Sequence, residues 1–403
     1  MLKFKKMDIL AFIALLPIFE PTYFITIPLV SAIYNILGIL LPIVIIAIAI
    51  RNKGTFKLFP SLLMGIELWI LILTVFNRGQ IRAAFSYFLM FTSVILLFSL
   101  YRTKMFSLFR ALRLHFEICI YLNLLSLIFF PERLFSRFNV AYGFTFEWFL
   151  GSRNNFLIWL LPGLMIALMD SYYHPKSIRW KLLILAIFAT QFYQTSSTLI
   201  VTSVMLIGLS FFAHINIFFK PISSLILALT MQFLIVIANN VSFLSPIIEG
   251  VLGKDLTFTN RTTIWVNALN NIHWIGLGKM QSEQLVNILG NFGLFLWRGA
   301  THAHNQLLNF GIQSGWIGLI CIIAIYYRNS NKMNSLWKSP IVRILSFSMF
   351  VYIIAGVTEV TSHYLMQLMI IFPLYIEELI ELRTEYNHRM GEIDEKDKSR
   401  SCK

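Results

Sequence analysis

The stretch that decides the fold runs from Ser31 to Ile50, SAIYNILGILLPIVIIAIAI, twenty residues without a charge, followed at once by Arg51, Lys53 and Lys57. Coiled as a helix it rises about 30 Å, the thickness of a bilayer's hydrocarbon core. Working outward, the same signature recurs along the chain. Apolar windows fall at 8–28, 31–50, 58–77, 82–101, 112–130, 155–171, 180–194, 197–217, 222–241, 305–327, 340–357 and 361–380. The pattern predicts an all-α polytopic membrane protein with about twelve transmembrane helices.

Composition agrees. Of 403 residues 57% are apolar and 13% charged, whereas soluble domains carry about 25% charge. Too little charge remains to coat soluble domains, so a soluble globular enzyme is excluded. A net charge of +14 raises nucleic-acid binding as one reading and membrane topology as another. With the N-terminus inside and the windows alternating, 24 of the 33 Lys and Arg fall in cytoplasmic segments. The outer segments hold Arg78, Arg82, Arg133, Arg137, Arg153, Lys254, Arg261, Lys279 and Arg298. That is the positive-inside asymmetry, with both termini cytoplasmic. Cations dealt one loop at a time form no basic face, so nucleic acid is excluded as a partner and the lipid bilayer is expected. The basic start, Met1 to Lys6, mimics a signal peptide without a small-residue cleavage site and reads as an uncleaved first span. Cys119, Cys321 and Cys402 imply no disulfide framework.

One membrane domain is expected over 1–380, then a charged cytoplasmic tail over 381–403. Two outer segments break the pattern of short loops: a medium one at 131–154 and a long one at 242–304. A loop that long is uncommon unless functional, so the site is expected on the extracytoplasmic face.

The long loop holds Asn260-Arg261-Thr262-Thr263-Ile264-Trp265, then Gly276-Leu277-Gly278, and closes on His302-Ala303-His304-Asn305. Gly151-Ser152-Arg153-Asn154-Asn155 enters a helix from the other loop. An arginine's planar fork matches phosphate oxygens without losing its charge, and a histidine beside it can take a proton from a hydroxyl. Together they suit transfer of a group from a diphosphate leaving group. Paired carboxylates and acidic metal-ligand clusters are missing beside them, so a metal-independent reaction without a cofactor is expected. Gly311, Gly315 and Gly318 read as helix-packing surfaces. Glu20, Glu67, Glu117, Asp170 and Glu359 fall within or at the ends of spans, with Glu67 and Arg82 as a structural pair.

These residues carry a resemblance. The Arg-x-x-x-Trp segment at 261–265, the Gly-x-Gly at 276–278 and His-Ala-His-Asn-x-x-Leu at 302–308 resemble the O-antigen ligase and polymerase superfamily of bacterial membrane glycosyltransferases. The resemblance implies a GT-C-like architecture and transfer of a glycan from undecaprenyl diphosphate to an acceptor hydroxyl in the inner membrane. It maps a base onto His304 and diphosphate-holding cations onto Arg261 and Arg153. Arg78, Arg82, His302, Asn305 and Trp265 stand as substrate-binding residues. Ligases of the family carry a Ser-Arg segment before a later span. Here Thr195-Ser196-Ser197-Thr198 has no Arg, so a Wzy-type polymerase of O-antigen or capsule is expected over a ligase. A chain-length regulator and a flippase of the same pathway are the protein partners this implies. A lipid-linked oligosaccharide transporter is the rival from another class, although no internal repeat is evident.

Overall fold

The computed structural model describes residues 6–52, 56–139, 143–194, 196–212, 219–237, 261–293 and 295–382. Among them lie fourteen α-helices of eight residues or more and one hairpin. The first nine helices are α1 Lys6–Leu15, α2 Pro28–Arg51, α3 Leu58–Phe76, α4 Ile81–Leu100, α5 Met105–Phe129, α6 Phe156–Tyr173, α7 Arg179–Tyr193, α8 Ser197–Phe212 and α9 Pro221–Gln232. After them come α10 Arg261–Asn270, α11 Ser282–Leu289, α12 Gln306–Ser335, α13 Pro340–Thr358 and α14 Tyr364–Leu374. Among the described residues seven helices (α2 to α6, α12 and α13) are long and apolar enough to cross a membrane. This is a helical, multi-pass membrane protein.

The other five apolar windows each hold a shorter helix. The window at 8–28 breaks because Pro17 and Pro21 interrupt it and α2 starts afresh at Pro28. Proline has no N–H to extend the ladder. The result is α1, ten residues long, about 15 Å and half the hydrocarbon thickness. The last window ends early, with Pro373 inside α14 and a turn at Tyr375 before helix resumes over 376–382. The windows behind α8 and α9 run past the described residues. So do the basic start, Lys254, Thr195, part of the long loop and the tail beyond Leu382.

Burial sorts the helices. In α6 and α13, 83% of the apolar stretch is buried, against 17% in α2. The first two are the bundle's centre, while α2 turns its Ile and Leu side chains outward at the rim, packing chiefly on α4. The medium loop is not structureless. It forms an antiparallel hairpin of β1 Phe135–Asn139 and β2 Gly143–Glu147, with Phe138 paired to Phe144.

Charges cluster at the end of the bundle where α1 starts. Asp8 pairs with Arg110 (3.0 Å), Asp170 with Arg113 and His174 (2.7 Å to the latter), and Glu117 with Arg179. Glu378 accepts from Lys57 (3.1 Å) and Arg102. Stripping one partner from a buried pair of this kind costs about 3–5 kcal/mol, because the other charge stays buried.

At the opposite end a loop enters the helix ladder itself. α12 is broken at Gly315, where φ is 72° and ψ −174°. The break frees backbone groups that need partners in an apolar bundle, and residues 273–278 supply them. Leu277 N–H donates to the carbonyl of Ile312 (2.8 Å) and Gly278 N–H to that of Gln313 (2.9 Å). The N–H groups of Trp316 and Ile317 donate to His273 (3.1 Å) and Trp274 (3.3 Å). The Ser314 carbonyl accepts from the Trp69 indole at 3.3 Å. Gly315 therefore marks a kink of the backbone, and the surface it packs against is the strap, where a helix was expected from sequence.

A Cβ on Gly315 would sit 2.3 Å from the Trp274 oxygen in a backbone region that side chains avoid. Gly315→Ala is expected to destabilise the protein by about 1–3 kcal/mol or more, read as a lower thermal midpoint in detergent. Gly38→Ala, with nothing within 4 Å of its Cβ, is the control expected to leave it unchanged.

Candidate functional site

Residues 273–281 strap α3 to α12, and the strap places a cation. Gly278 has φ 69°, and a Cβ there would lie 2.3 Å from the Thr74 nitrogen, so only glycine lets the loop press this close to α3. Beyond it, Lys279 N–H donates to the Thr74 hydroxyl (2.7 Å), and the Lys279 carbonyl accepts from Gln80 N–H (2.7 Å). Asn77 and Gln281 side chains tie the strap to the α3–α4 turn.

With its backbone clamped, Lys279 lines a cavity of about 320 Å³ between α3, α4, the strap and α12. That is the low end of the range for small-ligand sites, roughly 300–1,000 Å³. Lys279 Nζ lies 5.6 Å from the centroid of the Tyr87 ring. Burial pulls its ammonium below the usual lysine range, opposed by Glu67. Glu67 projects into the same cavity from α3, and Gln80, Gln306 and Gln367 add amides. Glu67 does not pair with Arg82, as expected from sequence. Arg82 is exposed on the first turn of α4, and the cation in the cavity with Glu67 is Lys279.

His302 forms another part of the wall. Its Nδ1 accepts the backbone N–H of His304 at 3.2 Å, which puts the imidazole proton on Nε2. The two rings lie 4.0 Å apart, and His304 stacks on Trp297 at 6.1 Å. His304 adopts φ 48°, a region few non-glycine residues use. Its ring nitrogens are buried with no hydrogen-bond partner among the described residues. Burial, helped by Arg261, pushes His302 down to about 4. Burial, then His302 and Arg261, push His304 down to about 2. Both imidazoles are neutral at physiological pH.

Arg261 opens α10 and is held from the far side. Its guanidinium donates to the Thr358 carbonyl and pairs with the Glu359 carboxylate at 3.3 Å. Burial holds the Glu359 carboxyl above its usual range, against the pull of Arg261.

Of the catalytic and substrate-binding residues expected from sequence, the structure brings Arg261, His302 and His304 together, and of these His302 lines the cavity, as does Glu67, expected only as a structural pair. Asn305 is a helix cap: its side-chain oxygen accepts from Leu308 N–H (2.9 Å) and its amide donates to the Val357 carbonyl (2.9 Å). Trp265 is a core side chain, 1% exposed. Arg78, Arg82 and Arg153 are exposed and do not line the cavity. Lys279 and the glutamines were missed. The signal for Lys279 was its place directly after Gly276-Leu277-Gly278. Among the described residues no three of His, Cys, Asp and Glu come together as a metal set.

No family model, curated protein or solved structure matches this chain. The chemistry therefore has to be argued from the cavity.

A pH dependence follows from the histidines. Their folded-state values lie below the ordinary 6.5, so between about pH 6.5 and 4 the unfolded chain binds more protons than the folded one. Stability is then full above pH 6.5 and falls as pH drops, by up to roughly 1 kcal/mol per pH unit for each imidazole. Thermal midpoints in detergent from pH 8 to 4 should show this fall, and His302→Gln with His304→Gln should make it shallower, His363, which burial also pushes down to about 3, keeping part of it.

Proposed function

We propose that this chain is a polysaccharide polymerase that joins undecaprenyl-diphosphate-linked oligosaccharide units on the outer face of the cytoplasmic membrane, by glycosyl transfer without a metal. The observation that carries the reading is the cavity under the strap. A lysine, a carboxylate, an imidazole and five side-chain amides line a space of about 320 Å³ at one end of an apolar bundle. Amides and tyrosines suit sugar hydroxyls. The buried Lys279 ammonium suits the diphosphate whose charge grows as the glycosidic bond breaks, and His302 Nε2–H can add a hydrogen bond to it. Arg261 reinforces the positive field from behind the histidines, and the apolar helices offer the prenyl chain a path.

The arrangement of ends supports the orientation. The cavity lies at the end that holds Arg78, Arg261 and Lys279, opposite the end where Arg51, Arg102, Arg110 and Lys332 gather. By the positive-inside rule that opposite end is cytoplasmic. With twelve helical segments in the membrane, both termini then lie in the cytoplasm. A reporter at the C-terminus is expected to fluoresce as a cytoplasmic fusion and to be silent as a periplasmic phosphatase.

A second reading has one observation in its favour. Glu67 sits within the apolar helix α3 and faces a cavity, as in transporters. Loss of the chain separates the two. Single lipid-linked units accumulating on the outer face support the polymerase, and units trapped on the inner face support a transporter. For the polymerase, Lys279→Ala is expected to reduce polymer by roughly 100-fold, the cost of losing one electrostatic stabiliser. Polymer of unchanged length and amount in both Lys279→Ala and Arg261→Ala cells would discard the reading.

A further inference from the structure

We propose that Glu67 is the proton acceptor of this site, taking the proton of the acceptor sugar's hydroxyl as that oxygen attacks the anomeric carbon of the lipid-linked donor. The inference rests on the polymerase reading above and adds a residue to it. Besides three tyrosines, whose phenols keep their protons at neutral pH, the titratable groups in the cavity wall are Glu67, Lys279 and His302. His302 is occupied, because its Nδ1 accepts His304 N–H, and it presents an N–H to the cavity. An ammonium has no lone pair to offer. His304 keeps both ring nitrogens unpartnered but lies behind His302 and outside the cavity wall. A carboxylate is an acceptor with no competing donor role, and Glu67 is the one in the wall.

What sets Glu67 apart is its place in the cavity wall without an ion pair. Asp8, Glu117, Asp170, Glu359 and Glu378 are each closed in an ion pair with an arginine, and Glu20 and Glu147, which enter none among the described residues, do not line the cavity. Glu67 enters no hydrogen bond or ion pair among the described residues, although Lys279 shares its cavity and is near enough to feel its charge. An acid kept in an apolar helix without a structural partner is one whose oxygens are reserved for something else.

The step balances. A bond forms between the acceptor oxygen and the anomeric carbon, and the bond from that carbon to the diphosphate oxygen breaks. The electron pair leaves with the diphosphate, whose charge Lys279 meets. The hydroxyl proton ends on Glu67 and passes to water when the lengthened chain moves out.

The test uses the purified full-length chain in detergent with lipid-linked oligosaccharide units, comparing wild type, Glu67→Gln and Glu67→Asp. The expected result for Glu67→Gln is a fall in kcat of roughly 100-fold or more, the usual worth of a positioned base. Its KM should stay within about threefold and its thermal midpoint should not fall, since it removes a charge from an apolar helix. Glu67→Asp, which keeps a carboxylate, should recover part of the rate. A Glu67→Gln chain that polymerises within about threefold of wild type overturns the inference, as does a loss confined to KM or accompanied by a lower midpoint. A wild-type chain that binds the units and makes no polymer fails the polymerase reading itself, so the two failures are told apart.

Discussion

Everything at the cavity end depends on one exchange of backbone hydrogen bonds. A break in a membrane helix exposes carbonyl and N–H groups that lipid cannot satisfy. Here the strap at 273–278 takes both halves of that debt, accepting from Trp316 and Ile317 and donating to Ile312 and Gln313. The helix tolerates its break because the loop completes it, and the loop is rigid because the helix needs it. Lys279 inherits that rigidity one residue later, clamped to Thr74 and Gln80. The clamp fixes the point from which the Lys279 side chain enters the cavity.

The two ends of the bundle use charge in opposite ways. Where α1 begins, acids and arginines close on one another in pairs that bind α5, α6 and α7 together. At the other end the buried polar groups are spread around open space, and Arg261 with Glu359 is the one ion pair near it among the described residues. Closed pairs stabilise a fold. Around the cavity the glutamines are held in place by hydrogen bonds to Met280, Thr361, Ser362 and Tyr352 and still line the open space.

Much of this was legible in the sequence. Ser31–Ile50 reads as a span because it carries no charge, and α2 runs through its single proline, Pro42; burial then decides only that α2 sits at the rim. The window at 8–28 is apolar too, but it carries Glu20 and two internal prolines four residues apart, and a hydropathy average does not weigh a missing N–H. The Gly-x-Gly and the His-Ala-His segment were visible as motifs. Their work was not, because Gly278 matters through a contact with Thr74 and His302 through a hydrogen bond to its neighbour's backbone. Arg82 looked like the partner of Glu67 because it is close in the chain. The cation that shares its cavity comes from the far side of the strap, a separation that no local pattern encodes. The hairpin of 135–147 was hidden for a similar reason, its pairing being a matter of register.

Sequence distance at the cavity has a consequence for how the protein is made. Thr74 and Lys279, which touch, are 205 residues apart. During synthesis α3 enters the membrane with Glu67 already on it, long before the ribosome reaches the strap that closes that face. For the whole of that interval the nascent chain carries an uncovered carboxylate at bilayer depth, where an unaccompanied charge is disfavoured.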